Sequence, residues 1–305
     1  MKKVLLTGAT GFIGRHCPPL LLTQGYEVHA IYSRIAGEAH PNVHWHKVDL
    51  LDTMQITRLI DSIRPTHILH FAWYAIPGKY WTSSENFRWV QAGLTLLQEF
   101  ARRGGQRVVM AGSCAEYDWK YGYCSEQVTQ LFPSSIYGIC KHSLQAMLEA
   151  YSVQFGLSSA WGRIFFLYGP HESPARLVPS AIRSLLQGKS APCTHGEQIR
   201  DFLHVYDVAD AFVALLESDV SGPVNIASGC PVAVKTIVLK IAEQLNQRDL
   251  LQLGALPLSA SEPALLVADV TRLSKEVNWQ PKYDLDYGLE QTIGYWKQQL
   301  LNELK

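Results

Sequence analysis

The chain has 305 residues, 47% of them hydrophobic, and its 27 basic residues balance 27 acidic ones. This composition supports a large buried core in one large domain or two coupled ones, and the balanced charge argues against nucleic acid as a partner. No apolar stretch is long enough to span a bilayer and no signal-peptide pattern precedes the first predicted strand, so a cytoplasmic protein is expected.

The first predicted elements are a strand, a glycine-rich turn, a helix and a second strand. Lys3–Leu6 is a short apolar run typical of a buried parallel strand, Phe12–Gln24 has a helical pattern, and Glu27–Tyr32 is again strand-like. This order is the βαβ context of a dinucleotide-binding fingerprint. Its glycines permit a tight turn, the close approach of a pyrophosphate and packing of the helix on the sheet. The residues expected to contact the dinucleotide are Gly8, Thr10, Gly11, Phe12, Ile13 and Gly14.

Two prolines, Pro18 and Pro19, interrupt the helical pattern that follows the glycine-rich turn. Proline has no backbone N–H to donate and its ring clashes with the preceding turn of a helix. We therefore predict a kink or a restart of the helix at these residues. The N-terminal end of the helix should offer its free N–H groups to the phosphates.

The end of the second predicted strand bears on the choice between NAD and NADP. A carboxylate there would bond the ribose 2′-hydroxyl and repel a 2′-phosphate. The chain has Tyr32-Ser33-Arg34 instead, in which Arg34 can pair with a phosphate and Ser33 can donate a hydrogen bond. We therefore predict NADP as the cofactor. The alternative is that Arg34 is a solvated surface residue and that NAD binds.

Strands and helices alternate through the first two-thirds of the chain. Further strands are predicted at Val43–Val48, His67–Phe71, Arg107–Ala111, Ala160–Phe166 and Val224–Ile226, with helices at Asn86–Arg102 and Ser135–Phe155. The alternation predicts an α/β protein with a Rossmann-type, doubly wound parallel sheet and a ligand site beyond the carboxyl ends of its strands. We assign residues 1–167 with 199–227 to this dinucleotide-binding domain. Residues 168–198 with 228–305 are predicted to form a smaller substrate-binding lobe.

Tyr137 and Lys141 lie four residues apart in the predicted helix Ser135–Phe155, so both side chains occupy one face. A free tyrosine titrates near ~10, and a neighbouring ammonium lowers that pKa. Such a pair can exchange a proton with a substrate oxygen. Taken alone, the pair also fits an ordinary surface turn of a helix.

Cysteine and histidine residues form no pattern typical of a metal site. His44 and His46 alternate on one predicted strand, but no carboxylate accompanies them, so we predict a solvated strand face and no bound metal. The cysteines lack a Cys-x-x-Cys pair and are predicted to be reduced thiols. They are Cys17, Cys114, Cys124, Cys140, Cys193 and Cys230.

Together these motifs resemble the extended short-chain dehydrogenase/reductase family, within it the nucleotide-sugar epimerases, dehydratases and 4-ketoreductases. The resemblance extends over nearly the whole chain. Besides the glycine-rich turn and the Tyr137–Lys141 pair, its landmarks are Val108–Ser113, Arg163–Pro170, Arg200–Val205, Ala268–Leu273 and Asn278–Pro281. It implies a nicotinamide cofactor, an NDP-sugar substrate and a homodimer built on a four-helix contact that includes Ser135–Phe155.

The resemblance also implies roles for individual residues. Ser113 would hold the substrate carbonyl, Tyr137 would give or take the proton, and Lys141 would bond the nicotinamide ribose and lower the pKa of Tyr137. Arg200 would grip the nucleotide diphosphate, because a guanidinium can bond two phosphate oxygens at once. The remaining cofactor contacts implied are Asp49 and Leu50 at the adenine, and Phe71 and Ala72 at the centre of the dinucleotide.

Dehydratases of the family carry Asp-Glu directly after the catalytic hydroxyl residue, where this chain has Cys114 and Ala115. Glu116 comes one place later and would face the other way in a strand. Dehydration is therefore not expected, which leaves a 4-epimerase or a 4-ketoreductase. Because a reductase consumes NADPH, the Ser33-Arg34 pair favours a 4-ketoreductase of an NDP-4-keto-6-deoxyhexose, which we predict. The alternatives are an NDP-sugar 4-epimerase with tightly bound NAD and, more remotely, an inert NADP-binding regulatory protein.

The substrate site combines an aromatic cluster with departures from the family pattern. Trp73, followed by Tyr74, Tyr80 and Trp81, lies after the fourth predicted strand, where rings can stack on a sugar or can pack the loop onto the sheet. The second arginine that the family often has before Ala-Asp is missing from Ser259–Pro263. Two expected asparagines are replaced by Phe166 and Trp89. In the helix Ser135–Phe155, the apolar residues Leu144, Met147 and Leu148 fit the expected dimer contact.

Overall fold

The computed structural model describes residues 2–259 and 262–303. Its strands are β1 (Lys3–Thr7), β2 (Glu27–Tyr32), β3 (Val43–Lys47), β4 (His67–His70), β5 (Arg107–Ser113), β6 (Tyr123–Cys124), β7 (Ser158–Ile164), β8 (Phe166–Tyr168), β9 (Ala191–Pro192), β10 (Ile199–His204), β11 (Gly222–Ile226), β12 (Pro231–Ala233), β13 (Leu251–Gln252) and β14 (Leu265–Ala268). Its α-helices are α1 (Cys17–Thr23), α2 (Thr53–Ile63), α3 (Glu85–Arg102), α4 (Ile136–Phe155), α5 (Leu177–Leu186), α6 (Val205–Glu217), α7 (Val234–Gln244) and α8 (Leu285–Glu303).

A parallel sheet occupies the centre of the described chain, in the order β11-β7-β5-β4-β1-β2-β3. These seven strands coincide with the seven that the sequence predicts, with ends shifted by one or two residues. The strand order runs outward in both directions from β1 and β4. The neighbouring carboxyl ends of β1 and β4 are therefore the switch point where ligands of such sheets bind. The predicted α/β, doubly wound fold class is confirmed.

Helices cover both faces of this sheet because its strands are apolar on both sides. In β1, Val4 and Leu6 pack into one core with Phe212 of α6, while Leu5 between them packs into the other core. The second core receives Leu96 of α3 and Leu144 of α4. The helix that carries the Tyr137–Lys141 pair is therefore fixed directly against the central strands.

The first helix starts later than the sequence predicts. The chain leaves the glycine-rich turn as a short 3-10 turn, Gly14–His16, and α1 begins only at Cys17 rather than at Phe12. Pro18 and Pro19 lie in the first turn of α1, where their missing N–H groups would have no partner inside the helix. The predicted restart at these prolines is confirmed, and the predicted helix Phe12–Gln24 is wrong in its first turn.

A second sheet forms beside the first, in the order β12-β10-β14-β6, with β8 paired to β10. The sequence predicts that Ile199–Ile226 returns to the main sheet. Only β11 does so, because β10 pairs with β8, β12 and β14. A third core, with Ile182 of α5, Ile237 of α7 and Leu289 of α8, lies under this part of the chain. The boundaries proposed for the two domains stay predictions.

In the described part of the chain, the helices are too short or too polar to cross a bilayer.

Candidate active site

The glycine-rich turn brings three stretches of backbone into close contact at the switch point. Gly8 has φ +68°, and a Cβ on it would lie 2.8 Å from the backbone nitrogen of Ala72. A Cβ on Gly14 would collide with the carbonyl oxygen of Gly8, to which the Gly11 N–H donates at 2.9 Å. Side chains at these positions would fill the space above the turn, so the glycines leave room for a pyrophosphate to approach the backbone. The turn therefore fits a dinucleotide.

A buried polar contact fixes the turn against β4. Thr7 Oγ1 lies 2.7 Å from His70 Nδ1 and accepts a hydrogen bond from the Ala72 N–H at 3.2 Å. Burial, with a smaller effect of Lys141, lowers the pKa of His70 to about 3. The contact places Phe71 and Ala72 beside the glycine-rich turn, and their contact with a dinucleotide stays a prediction. Thr7 and His70 were missed by the sequence analysis, although polar residues inside two apolar strands were a usable signal.

The predicted cofactor contacts differ in their exposure. Ser33 and Arg34 are exposed just beyond the end of β2, and Asp49 is exposed beyond the end of β3. Leu50 is buried in the core, so Asp49 alone of that pair faces solvent. The half-buried residues of the turn are Gly8, Thr10, Phe12 and Ile13.

Ser113 and Tyr137 meet because α4 packs tightly on the turn that follows β5. Ser113 ends β5, and its Oγ accepts a hydrogen bond from the Ala115 N–H at 3.2 Å. Gly138 lies against the carbonyl oxygen of Ala115, where a Cβ would collide. Glycine at this position therefore lets α4 bring Tyr137 close to Ser113, near enough for the Ser113 hydroxyl to lower the pKa of the phenol against the effect of burial. The sequence analysis did not single out Gly138.

The pKa of Tyr137 lies above its usual value, because the phenol is buried. The Ser113 hydroxyl opposes this shift, and the acidic or phenolic groups of Tyr80, Cys114 and Glu116 add to it. The spacing of Tyr137 and Lys141 predicts the opposite direction. Burial determines the direction in the described arrangement because the Lys141 ammonium is bonded elsewhere.

Lys141 is buried and directed toward the sheet. Its Nζ donates to the carbonyl oxygen of Ala111 at 2.8 Å and lies 3.7 Å from the centre of the Trp73 ring. Burial lowers the pKa of Lys141 to about 7, against an opposing effect of the Glu116 carboxylate. The indole of Trp73 donates to Asn86 Oδ1 at 2.8 Å. One face of Trp73 is thus occupied by Lys141, and its ring is held in place by Asn86.

Other aromatic rings of the predicted cluster surround Tyr137. The ring of Tyr80 lies 4.8 Å and that of Trp81 5.6 Å from the Tyr137 ring, both edge-on. Trp119, which the sequence analysis did not include, lies 6.0 Å from Trp81. The catalytic tyrosine candidate therefore stands in an aromatic wall suited to the apolar face of a sugar.

Glu116 is fully buried behind Ser113 and points into the core. Its carboxylate accepts from the Ser113 N–H at 2.8 Å, from Trp161 Nε1 at 2.9 Å and from Arg163 Nε at 2.8 Å. The residue lies in a 3-10 turn rather than a strand, so the reason given for its orientation was wrong, although it does face away from Tyr137. It acts as a fixed support for Ser113.

Arg200 lies on β10 and is 1% exposed. Its Nη1 donates to the carbonyl oxygen of Ile199 at 2.8 Å, and its Nη2 donates to Pro263 and to the carboxylate of Glu262. The guanidinium is close enough to Cys114, next to Ser113, to lower the pKa of that thiol against the dominant effect of burial. Arg200 therefore lies within electrostatic reach of the turn that follows Ser113.

The lowered pKa of Lys141 predicts that the contribution of Lys141 to the free energy of unfolding of the cofactor-free protein, read as the difference between wild type and Lys141→Met, increases as pH rises from about 7 to about 9.5. Folded Lys141 is mostly neutral in this range, whereas an unfolded lysine keeps its proton to ~10.4, so the unfolded state binds more protons. The slope should approach ~1.4 kcal/mol per pH unit. Urea unfolding measures it, and Lys141→Met should remove it while Lys189→Met, at an exposed position, should not. An equal slope in the Lys141→Met variant would contradict the shift.

Known proteins are similar to this chain in sequence and in fold. The chain is similar to UDP-glucuronic acid decarboxylase 1 of Xenopus tropicalis, with 27% identity over 98% of this chain and 73% of that protein. It is similar to UDP-glucose 4-epimerase of Rhizobium meliloti (strain 1021), with 27% identity over 92% of this chain and 93% of that protein. The structure of Bacillus cereus UDP-glucuronic acid 4-epimerase, in complex with UDP-glucuronic acid and NAD, has a TM-score of 0.84 and 25% identity, covering 97% of this chain and 99% of that chain.

A family model described as the NAD dependent epimerase/dehydratase family matches residues 4–227. The matched range contains the glycine-rich turn, the Ser113–Tyr137 pair, Lys141 and Arg200. The predicted resemblance to the nucleotide-sugar branch of the extended short-chain dehydrogenases is confirmed. The chain belongs to the NAD dependent epimerase/dehydratase family of nucleotide-sugar enzymes.

Proposed function

We propose that the protein is a 4-ketoreductase that acts on an NDP-4-keto-6-deoxyhexose. The observation that carries the proposal is the proximity of the Ser113 hydroxyl to the Tyr137 phenol, one helical turn from Lys141 and beside the aromatic wall. When bound, the nicotinamide supplies the hydride for the sugar carbon. The glycine-rich turn and Lys141 would hold the cofactor.

Ser113 and Tyr137 would both bond the carbonyl oxygen of the sugar. Reduction leaves charge on that oxygen, and Tyr137 neutralises it by donating its phenolic proton. The raised pKa of Tyr137 keeps the phenol protonated at neutral pH, which is the form that a reductase needs. The buried Glu116 would hold the backbone of Ser113 still during this step, because its carboxylate bonds the Ser113 N–H. Preorganised donors of this kind stabilise developing charge most effectively.

Dehydration is disfavoured by the groups that follow Ser113. Cys114 and Ala115 are buried and cannot act as a carboxylic acid and base. The nearest carboxylate, Glu116, is bonded to Arg163 and Trp161. No acid–base pair is thus offered to a 6-hydroxyl by this turn.

A 4-epimerase is the second candidate, because the relatives include UDP-glucose 4-epimerase and UDP-glucuronic acid 4-epimerase. The same Ser113, Tyr137 and Lys141 would serve it. An epimerase returns the hydride to the sugar and needs no net supply of reduced cofactor, whereas a reductase consumes one molecule per turnover. Net consumption of reduced cofactor therefore distinguishes a reductase from an epimerase.

Purified protein, incubated with NADPH and a panel of NDP-4-keto-6-deoxyhexoses, should consume NADPH. A parallel incubation with UDP-glucose and UDP-glucuronic acid, with catalytic NAD only, should leave both sugars unchanged by chromatography. Epimerised product in the second incubation, with no NADPH consumption in the first, would favour the epimerase. Absence of both reactions would count against either enzyme and for the NADP-binding regulatory alternative.

Tyr137→Phe should lower kcat by ~10²–10⁴-fold, because it removes the proton donor and keeps the ring. NADPH binding, followed by fluorescence, should change little. Tyr287→Phe is the matched control, since Tyr287 is exposed on α8. If Tyr137→Phe retains full turnover, the role proposed for Tyr137 is wrong.

NADP is the cofactor that we propose, although the Bacillus cereus epimerase is in complex with NAD. Support comes from Ser33 and Arg34, exposed beyond β2 where no carboxylate would repel a 2′-phosphate. Arg34→Asp should weaken NADPH binding by ~10–100-fold, the range of a lost charge-assisted hydrogen bond, and should spare NADH. Arg248→Asp, at another exposed arginine, is the control. Equal or tighter binding of NADH than of NADPH by the wild type would end this proposal.

A homodimer built on α3 and α4 is also proposed. Leu144 and Leu148, which the sequence analysis offered as contacts, are buried in the chain's own core, so that part of the prediction is wrong. Exposed apolar residues on the outer faces of both helices support the contact instead, notably Phe87, Ile139 and Val153. Val153→Glu should therefore shift sedimentation toward a monomer, and Leu301→Glu on α8 should not. A wild type that sediments as a monomer at micromolar concentration would contradict the dimer.

A further inference from the structure

Arg200 is a buried cation whose ion-pair partner lies at the surface. The Arg200 side chain is 1% exposed and that of Glu262 is 38% exposed, with Nη2 and Oε1 2.5 Å apart. Nη2 also donates to the carbonyl oxygen of Pro263 at 2.7 Å. The carboxylate of Glu262 therefore lies on the solvent side of the guanidinium and covers it.

The guanidinium also borders the catalytic turn. Burial raises the pKa of the Cys114 thiol, which adjoins Ser113, and the Arg200 guanidinium opposes that rise. The guanidinium carbon lies 5.3 Å from the centre of the Phe166 ring. A ligand that extends from Tyr137 across this turn would bring its anionic part toward Arg200. Glu262 already holds the position where that anion would bind.

From this arrangement we infer that Glu262 is an internal competitor for the substrate's diphosphate and thereby a specificity-determining residue. The inference rests on the proposed function, in which Arg200 binds the diphosphate. Binding exchanges one anion for another at Arg200: the carboxylate leaves for water and the diphosphate takes its place. No covalent bond changes.

Because of this exchange, only a ligand with enough negative charge to replace the Glu262 carboxylate can bind to Arg200. A buried arginine left without a partner is strongly unfavourable, so a neutral free sugar leaves the Arg200–Glu262 pair intact. A diphosphate can replace the carboxylate because it carries more charge and can bond the guanidinium at two oxygens. The Glu262 carboxylate and a diphosphate at the same edge of the guanidinium would repel each other, so each weakens the binding of the other. Glu262 thus favours nucleotide-activated sugars over free sugars.

The carboxylate that would move belongs to the segment that leads into β14. Glu262 lies between β13 and β14, and β14 pairs with β10 directly beside Arg200, with Leu266 opposite it in the register. The Glu262 N–H donates to the carbonyl oxygen of Ser259 at 3.0 Å. Departure of the carboxylate can therefore occur at the end of this segment while the β10–β14 ladder stays in place.

Isothermal calorimetry with UDP and dTDP as ligands tests the competition. Glu262→Gln removes the charge and keeps the size, and it should bind the better of these nucleotides about 10-fold more tightly than the wild type does, a difference of ~1.4 kcal/mol. Glu243→Gln breaks a surface pair with Arg248 and should leave the affinity unchanged. Arg200→Gln should weaken binding, and the double variant Arg200→Gln/Glu262→Gln should show no gain over Arg200→Gln. NADPH binding should be equal in all these proteins.

The outcomes separate this inference from the proposed function. If Arg200→Gln weakens nucleotide binding while Glu262→Gln leaves it unchanged or weaker, Glu262 is a support rather than a competitor, and the function stands. If neither nucleotide binds wild type or Glu262→Gln, the competition and the nucleotide-sugar function both fail. Hydrogen exchange of the wild type gives a readout that needs no variant: the nucleotide should speed amide exchange at Glu262, and unchanged exchange would overturn the inference.

Discussion

The buried carboxylate of Glu116 is the interaction on which the catalytic edge depends. It accepts from the backbone of Ser113, from Trp161 and from Arg163, and so joins the end of β5 to β7. Loss of one partner of such a buried pair typically costs ~3–5 kcal/mol, because the other charge is left unpaired. The turn that it holds receives α4 through Gly138. The position of Tyr137 thus depends on a carboxylate that is itself fully buried.

The elements with a strong periodic signal could be predicted from the sequence. The strands of the central sheet are apolar runs, and α3 and α4 have clear helical patterns, so both their type and their order follow from the residues. The start of α1 could not be predicted from the spacing of apolar residues. Glycine and proline determine the backbone geometry there, and the apolar spacing contains no information about it. The partner of β10 depended on pairing with distant strands, and local sequence does not contain that information.

Those residues of the candidate site that belong to a recognisable sequence motif could be predicted. Contacts between distant parts of the chain could not. Ser113, Tyr137 and Lys141 came from motifs, and the structure brings them to the carboxyl edge of the sheet. The bond between Lys141 and Ala111, the burial that raises the pKa of Tyr137, and the pairing of Arg200 with Glu262 all depend on packing. The absence of a second arginine near Ser259–Pro263 was visible in the sequence, but the contact between the Glu262 carboxylate and Arg200 was not.

If Lys141 holds the cofactor as proposed, its lowered pKa makes cofactor binding depend on pH. With a pKa near 7, the amine of Lys141 is about half protonated in the cofactor-free protein at neutral pH. A dinucleotide that requires the ammonium must therefore draw a proton from the buffer as it binds, and more so as the solution becomes alkaline. Heat measured on mixing would then include the ionisation enthalpy of the buffer, and the enzyme would hold its cofactor more weakly as the hydrogen-ion concentration falls.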